Sequence, residues 1–203
     1  MDASVKKRVI HTTAILTVAA GFILFLGPRS WFPDFYAPRF MGVVSFIFTI
    51  LLFAPNLIFR VKGIHRHFEL KNNAILNLRF AMAICFLLSG AGELGLWQLY
   101  SVGLPYDKFV HFIVPLILVI AVSDILYHWG EWPRKRAMAV SMAAVLFASF
   151  FWEAIEFYSD RIFGTQLFGV YGTHVSKDTV WDMIFDVLGV VGAWLIMQRK
   201  PLK

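Results

Sequence analysis

Ionisable side chains recur at intervals of three or four residues inside apolar stretches in the second half of the chain. They are Lys108, His111, Glu153, Glu156, Asp178, Asp182 and Asp186. Residues three or four apart share one face of a helix, so each group would form a stripe on its own helix. Like charges in a stripe repel, and more strongly where the dielectric constant is low. A carboxylate stripe of this kind therefore needs protons, a bound cation or a basic partner.

These residue types suit a divalent metal ion as cofactor. Oxygen ligands are typical of Mg²⁺, Mn²⁺ and Ca²⁺, and an added imidazole would also allow Zn²⁺ or Fe²⁺. The candidate metal ligands are Glu153, Glu156, Asp178, Asp182, Asp186 and His111. The candidate catalytic residues are Glu153, Asp186, His111 as a ligand or general base, and Lys108 as a phosphate-binding cation.

Part of this pattern also fits the start of a helix. Thr179 and Asp182 match the S/T-x-x-D/E capping pattern, and Asp178 stands at the position of an N-cap residue. Asp186 lies about two turns further along, where capping gives no explanation, and Glu153 likewise has apolar neighbours. An ionisable side chain at the centre of a membrane costs roughly 2.5–3.5 kcal/mol, so these two carboxylates predict a functional site.

The elements that position these residues are hydrophobic stretches long enough to cross a bilayer. Of the 203 residues, 59% are apolar and only 16% are charged, which excludes a disordered chain, a nucleic-acid-binding arm and an ordinary soluble domain. A membrane-spanning helix needs roughly 20 mostly apolar residues, and six stretches qualify. They cover residues 9–26, 40–59, 75–96, 109–126, 138–157 and 180–197. The sequence therefore predicts an all-α, polytopic membrane protein, with six helices in one bundle and residues 1–203 as a single integral membrane domain.

The distribution of basic residues predicts the orientation of the chain. With six spans, 14 of the 19 lysine and arginine residues fall on one side, which the positive-inside rule assigns to the cytoplasm. Both termini are therefore expected in the cytoplasm, and the basic loops would face anionic lipid. The first span lacks a small-residue cleavage site, so we expect it to be a retained anchor.

With this orientation, polar residues from four helices meet at the extracytoplasmic end of the bundle. Besides the seven residues named first, this end holds Glu93, Asp107, Asp160, His174 and Lys177. The sequence thus predicts that acidic groups from separate helices form one site that opens away from the cell interior.

Three short motifs in the second half resemble those of a known family. They are YDKFVHF at 106–112, WEAIEF at 152–157, and KDTVWDM at 177–183 followed by Gly189. In this order they resemble the D-[KR]-x-x-H-F, E-x-x-E and D-T-x-x-D-M…G motifs of the YjdF-type bacterial inner membrane proteins. The VanZ-like group is more distantly similar, with Gln and Asn where this chain has Glu156 and Asp186. The resemblance implies a multi-pass protein of the bacterial cytoplasmic membrane, in a family without an established activity.

Three functions agree with these observations. The first is a metal-dependent enzyme that acts on a lipid or a lipid-linked substrate. The second is a non-catalytic membrane protein whose polar cluster binds a lipid headgroup or a partner. The third, a proton-coupled transporter, is less favoured, because the last span carries no ionisable group after Asp186. Membrane lipids are the expected partners in each case, and nucleic acid is not.

Overall fold

The computed structural model describes residues 1–32, 37–58, 72–96, 99, 102–128, 130–164 and 175–199. Within these residues the chain forms six long α-helices, a short 3-10 helix at Arg29–Trp31 and no strand. The long helices are α1 (Ala3–Leu26), α2 (Pro38–Ile58), α3 (Asn72–Glu93), α4 (Tyr106–His128), α5 (Arg134–Phe163) and α6 (Val175–Arg199). All six are long and apolar enough to cross a membrane. The prediction of an all-α protein with six membrane-spanning helices is confirmed.

The helices and the predicted spans differ mainly at their ends. Helix α5 is 30 residues long and extends past both ends of the predicted span 138–157, because hydropathy marks only the part that matches the hydrocarbon core. Helix α3 instead ends at Glu93, three residues before the predicted boundary. Gly95 has a φ of +124°, a conformation that side-chain-bearing residues rarely adopt, so the chain leaves the helix there.

The helices pack as two groups of three. The first group, α1 to α3, packs around Ile10, Ala14, Leu52 and Ala83. The second group, α4 to α6, packs around Val119, Met138, Val145, Val190, Ala193 and Met197. Helix α4 also packs against α3, so it joins the two groups and contacts three other helices. The candidate functional residues at 107–111, 153–156 and 178–186 all belong to the second group.

The outside of the bundle is apolar and part of its interior is polar. Phe147 is 73% exposed and Phe150 is 67% exposed, whereas Thr13, Ser123 and Ser141 are fully buried. Large apolar side chains on the surface are unfavourable in water, and they match a hydrocarbon environment. This distribution agrees with a membrane protein.

Contacts between helix ends show an up-and-down arrangement. Lys6 near the start of α1 donates a hydrogen bond to Asn77 near the start of α3. Asn77 in turn donates to Asp124 near the end of α4. At the other end, the rings of Phe40 and Phe163 lie 5.5 Å apart and join the start of α2 to the end of α5. The placement of the termini in the cytoplasm stays a prediction, since the geometry alone does not assign either end.

Helices α4 and α6 approach each other closely at Gly189. A Cβ atom added to Gly189 would overlap the backbone carbonyl oxygen of Phe112, so only glycine permits this distance. About one turn further along, a Cβ on Gly192 would meet only side chains, those of Leu116 at 3.3 Å and Phe112 at 3.6 Å. The close approach brings the first turns of α4 beside the first turns of α6, where the candidate residues lie.

Candidate functional site

Lys108 is the centre of an ion-pair network between α4 and α6. Its ammonium group donates to Asp178 and Asp182 of α6, each at 2.5 Å, and to Asp107 at 2.9 Å. Lys108 and Asp182 are buried, whereas Asp107 and Asp178 are partly exposed. The network therefore lies at the mouth of the helix pair, with its inner members shielded from solvent.

His111 lies one turn further into the bundle and contacts three carboxylates. Its Nδ1 atom is 3.2 Å from Oδ1 of Asp186, which is within hydrogen-bond distance. Its Nε2 atom is 3.5 Å from Oδ1 of Asp107 and 3.7 Å from Oδ1 of Asp182. If the proton of the ring is on Nδ1 and bonded to Asp186, the lone pair of Nε2 points toward Asp107 and Asp182.

Asp107, His111 and Asp182 have the spacing of a metal site. One ligand atom from each residue lies within 4.8 Å of the others. Ligands about 2.1 Å from a tetrahedral metal ion lie roughly 3.4 Å apart. The distances of 3.5 and 3.7 Å from Nε2 to the two aspartates are close to this value. A carboxylate on the second nitrogen of a ligating histidine, as Asp186 is here, is a common feature of metal sites.

Glu153 approaches the same site from α5. It is only 6% exposed, and among the described residues its Oε1 atom is buried without a hydrogen-bond partner. Its carboxyl group is close enough to His111, Asp182 and Asp186 to interact with them electrostatically, which places it near the α4–α6 pair. A buried carboxylate oxygen without a partner carries a large desolvation cost. This atom is therefore a candidate ligand or proton acceptor.

The remaining sequence-predicted residues lie at the edge of the site or outside it. Glu156 is partly exposed, and its Oε1 atom accepts a hydrogen bond from Nε1 of Trp152 at 2.6 Å. Lys177 is exposed and Asp160 is half-buried. His174 and the side chain of Glu93 lie outside the described residues.

A comparison with known families assigns the chain to one of them. The family model named DUF2238, described as a predicted membrane protein, matches residues 9–201, which is nearly the whole chain. The chain belongs to the DUF2238 family. The resemblance to the YjdF-type proteins is thereby confirmed, since these form the same family. No curated protein and no solved structure matches the chain.

Sequence reasoning missed one member of the site and misplaced another in this DUF2238 chain. Asp107 was not among the predicted ligands, although its four-residue spacing from His111 indicated a shared helix face. The interpretation of Asp178 as an N-cap residue is wrong, because α6 begins at Val175 and Asp178 lies within its first turn. An acidic residue in that position is still favoured by the helix dipole.

Proposed function

We propose that this protein is a metal-dependent membrane enzyme that binds a divalent cation at Asp107, His111 and Asp182. Its substrate is a lipid or a lipid-linked molecule, reached from the extracytoplasmic side of the bacterial cytoplasmic membrane. The observation that carries the proposal is the convergence of these three ligands beside Glu153, whose buried Oε1 atom has no partner among the described residues.

The charge balance of the site favours a cation. Five carboxylates converge here, from Asp107, Glu153, Asp178, Asp182 and Asp186, and among the described residues their cationic partners are Lys108 and His111. Where the dielectric constant is low, as at a buried site, an excess of negative charge is stabilised by a bound metal ion or by protons. Because one ligand is an imidazole, Zn²⁺, Mn²⁺ and Fe²⁺ suit the site as well as Mg²⁺.

Each residue has a distinct role in the proposed reaction, which is hydrolysis of an ester bond. Asp107, His111 and Asp182 would hold the metal ion, which would supply Lewis-acid chemistry to polarise the phosphoryl or carbonyl oxygen and to activate a water molecule. The water gives a proton to Glu153 while its oxygen bonds to the phosphorus or carbon atom. The ester oxygen then leaves as the alcohol and takes the proton from Glu153. Asp186 is a positioning residue, because it acts through the imidazole of His111.

Lys108 competes with the metal in this arrangement. Its ammonium group lies 2.5 Å from Oδ1 of Asp182, and that same oxygen faces Nε2 of His111. A metal ion held by Asp182 would leave the ammonium group with Asp107 and Asp178 as its partners. The donor that had bonded to Asp182 would then be available to the anionic part of a substrate, the role predicted for Lys108 from the sequence.

Metal binding is tested with purified protein in lipid nanodiscs. We expect wild-type protein to bind one Mn²⁺ per chain, measured by electron paramagnetic resonance titration and elemental analysis. His111→Ala and Asp182→Asn should each weaken binding by about 100-fold or more, since loss of an outer-shell partner already costs 10–100-fold. Asp124→Asn is the matched control, because Asp124 belongs to a separate network with Asn77 and His128. Stoichiometric binding that both site variants retain would refute the metal site.

Catalysis is tested separately from binding. Mn²⁺-loaded wild-type protein is incubated with nanodiscs of phosphatidylethanolamine and phosphatidylglycerol, and the lipid products are followed by mass spectrometry. Glu153→Gln should abolish product formation and keep Mn²⁺ binding, whereas Glu131→Gln, an exposed control outside the helices, should leave both unchanged. If the metal-loaded wild type forms no product from these lipids or from an extract of the bacterial membrane, the enzyme proposal fails.

The triple ion pair of Lys108 favours a second candidate function. If its ammonium group holds all three aspartates permanently, these carboxylates take no metal ion, and the protein binds a lipid headgroup or a partner without catalysis. In that case the wild type binds no divalent cation. The Mn²⁺ titration therefore distinguishes this function from that of a metal-dependent enzyme.

A further inference from the structure

An apolar cavity of about 470 Å³ lies beside the ion-pair network. We call it the apolar slot and define it by Leu104, Tyr106, Phe109, Phe112, Phe185 and the stem of Lys108. Its lining comes from residues just before α4, from the first turns of α4 and, through Phe185, from α6. Its volume is within the range of pockets that bind small molecules.

The chemistry of the lining excludes most occupants other than hydrocarbon. Four of the six defining residues carry aromatic rings, and Lys108 alone carries a charge. The hydroxyl group of Tyr106 donates to the backbone oxygen of Leu88, so its polar atom is used to fix α4 on α3. The slot is an open groove, and water against such a lining finds few hydrogen-bond partners, so apolar atoms cover it more favourably than water does. In a membrane the available filling is a lipid chain.

The slot and the polar site are adjoining parts of one helix pair. Phe112 follows His111 directly in α4, and Phe185 precedes Asp186 directly in α6. Lys108 belongs to both, because its stem lines the slot while its ammonium group bonds to Asp178 and Asp182. A molecule that fills the slot therefore has its other end at the carboxylates, which requires an apolar chain joined to a polar head.

We propose that the apolar slot binds one hydrocarbon chain of a long-chain lipid and places its head at the Asp107–His111–Asp182 site. This proposal rests on the proposed function, because it takes the bound lipid to be the substrate of the Asp107–His111–Asp182 site. The chain contributes the affinity, since burial of apolar area is the main favourable term for such a ligand. The slot sets specificity for long chains, because a short chain leaves part of the aromatic lining uncovered.

Retention of lipid through purification tests the proposal. Protein from membranes of phosphatidylethanolamine and phosphatidylglycerol is transferred to detergent and examined by native mass spectrometry. We expect one lipid per chain to remain after the surrounding lipids are removed. Leu104→Trp and Phe109→Trp fill the slot from two different elements, and both residues are partly exposed, so the helices can fold around the larger ring. Each should lower the retained lipid by about tenfold or more, as expected when a few methylene groups lose their burial.

Matched controls separate this proposal from the metal site. Phe147→Trp, on the exterior of α5, should retain lipid as the wild type does. His111→Ala should lose Mn²⁺ and keep the lipid. Lipid retained without any Mn²⁺ binding in the wild type would refute the metal site and leave the slot standing. If the wild type binds Mn²⁺ and both slot variants retain as much lipid as the wild type, the lipid-binding role of the slot is refuted and the metal site is still supported.

Discussion

His111 and Asp186 meet across the interface between α4 and α6, with 3.2 Å between Nδ1 and Oδ1. Asp186 is among the most buried charged residues of the described chain, at 3% exposure. The contact fixes the imidazole ring so that its other nitrogen faces Asp107 and Asp182. The orientation of the candidate metal ligand thus depends on a residue that does not itself belong to the ligand group.

Replacing Asp186 with asparagine should weaken metal binding and leave the fold intact. Asparagine keeps the size of the side chain, but it lacks the negative charge with which Asp186 stabilises a proton on Nδ1 of His111. We expect the affinity for Mn²⁺ to fall by about 10–100-fold, the usual effect of an outer-shell partner. The measurement is a Mn²⁺ titration of both proteins, with a thermal melt to show equal stability. An unchanged affinity would contradict the positioning role.

Gly189→Ala should disturb the site from a distance. The added Cβ would overlap the backbone oxygen of Phe112, so α4 and α6 must separate. We expect a loss of about 1–3 kcal/mol in stability from overpacking, together with weaker Mn²⁺ binding. Gly90→Ala is the control, because a Cβ at Gly90 in α3 meets nothing within 4 Å. If Gly189→Ala is as stable as Gly90→Ala, the added Cβ does not force the two helices apart, and this prediction is wrong.

Lys108→Met should destabilise the metal-free protein and strengthen metal binding. Removal of one partner of a buried ion pair costs about 3–5 kcal/mol, and less here because Asp107 and Asp178 are partly exposed. A divalent cation can replace the missing charge, so Mn²⁺ should restore much of the melting temperature.

The control for this experiment is Lys6→Met at the other end of the bundle. Lys6 donates to the neutral amide oxygen of Asn77. The substitution therefore removes one hydrogen bond from that amide, and it takes no ion-pair partner from a carboxylate through this contact. Its melting temperature should change less and should not respond to Mn²⁺. If Mn²⁺ stabilises neither variant, Lys108 is a structural counter-ion and the second candidate function is favoured.

Asn77→Ala should loosen the bundle without affecting the site. Asn77 accepts a bond from Lys6 and donates to Asp124, whose other oxygen lies 3.3 Å from His128. The substitution leaves polar groups of α1 and α4 without their partner, at a cost of about 1–3 kcal/mol. Thermal melts should show this loss, while the Mn²⁺ titration should match that of the wild type. Weaker Mn²⁺ binding would show that the two ends of α4 are coupled.

The orientation of the protein can be measured with single cysteines. Cys85 is buried, so it gives little background labelling. Val102→Cys, 70% exposed at the end that bears the site, should react with a membrane-impermeant maleimide in intact cells. Ser4→Cys, exposed near the start of α1, should react only after lysis. The opposite pattern would place the site in the cytoplasm and refute the proposed extracytoplasmic substrate.

The sequence alone determined the number of helices, and it determined that the polar residues lie at the same end of the bundle. Hydropathy depends on composition over roughly 20 residues, and the strong apolar bias of this chain leaves little ambiguity. Spacing of three or four residues then fixes which ionisable groups share a helix face. This was sufficient to predict that 107–111, 153–156 and 178–186 lie at one end of the bundle.

Which of these groups touch one another was decided only by the tertiary structure. The pairing of Lys108 with Asp178 and Asp182 depends on the rotation of α4 against α6, and Gly189 permits the close approach of the two helices. The separate roles of Glu153 and Glu156 likewise follow from how α5 is turned, with one carboxylate buried without a described partner and the other bonded to Trp152. Spacing along one helix carries no information about its rotation relative to another, because that rotation is set by side-chain packing between distant parts of the chain.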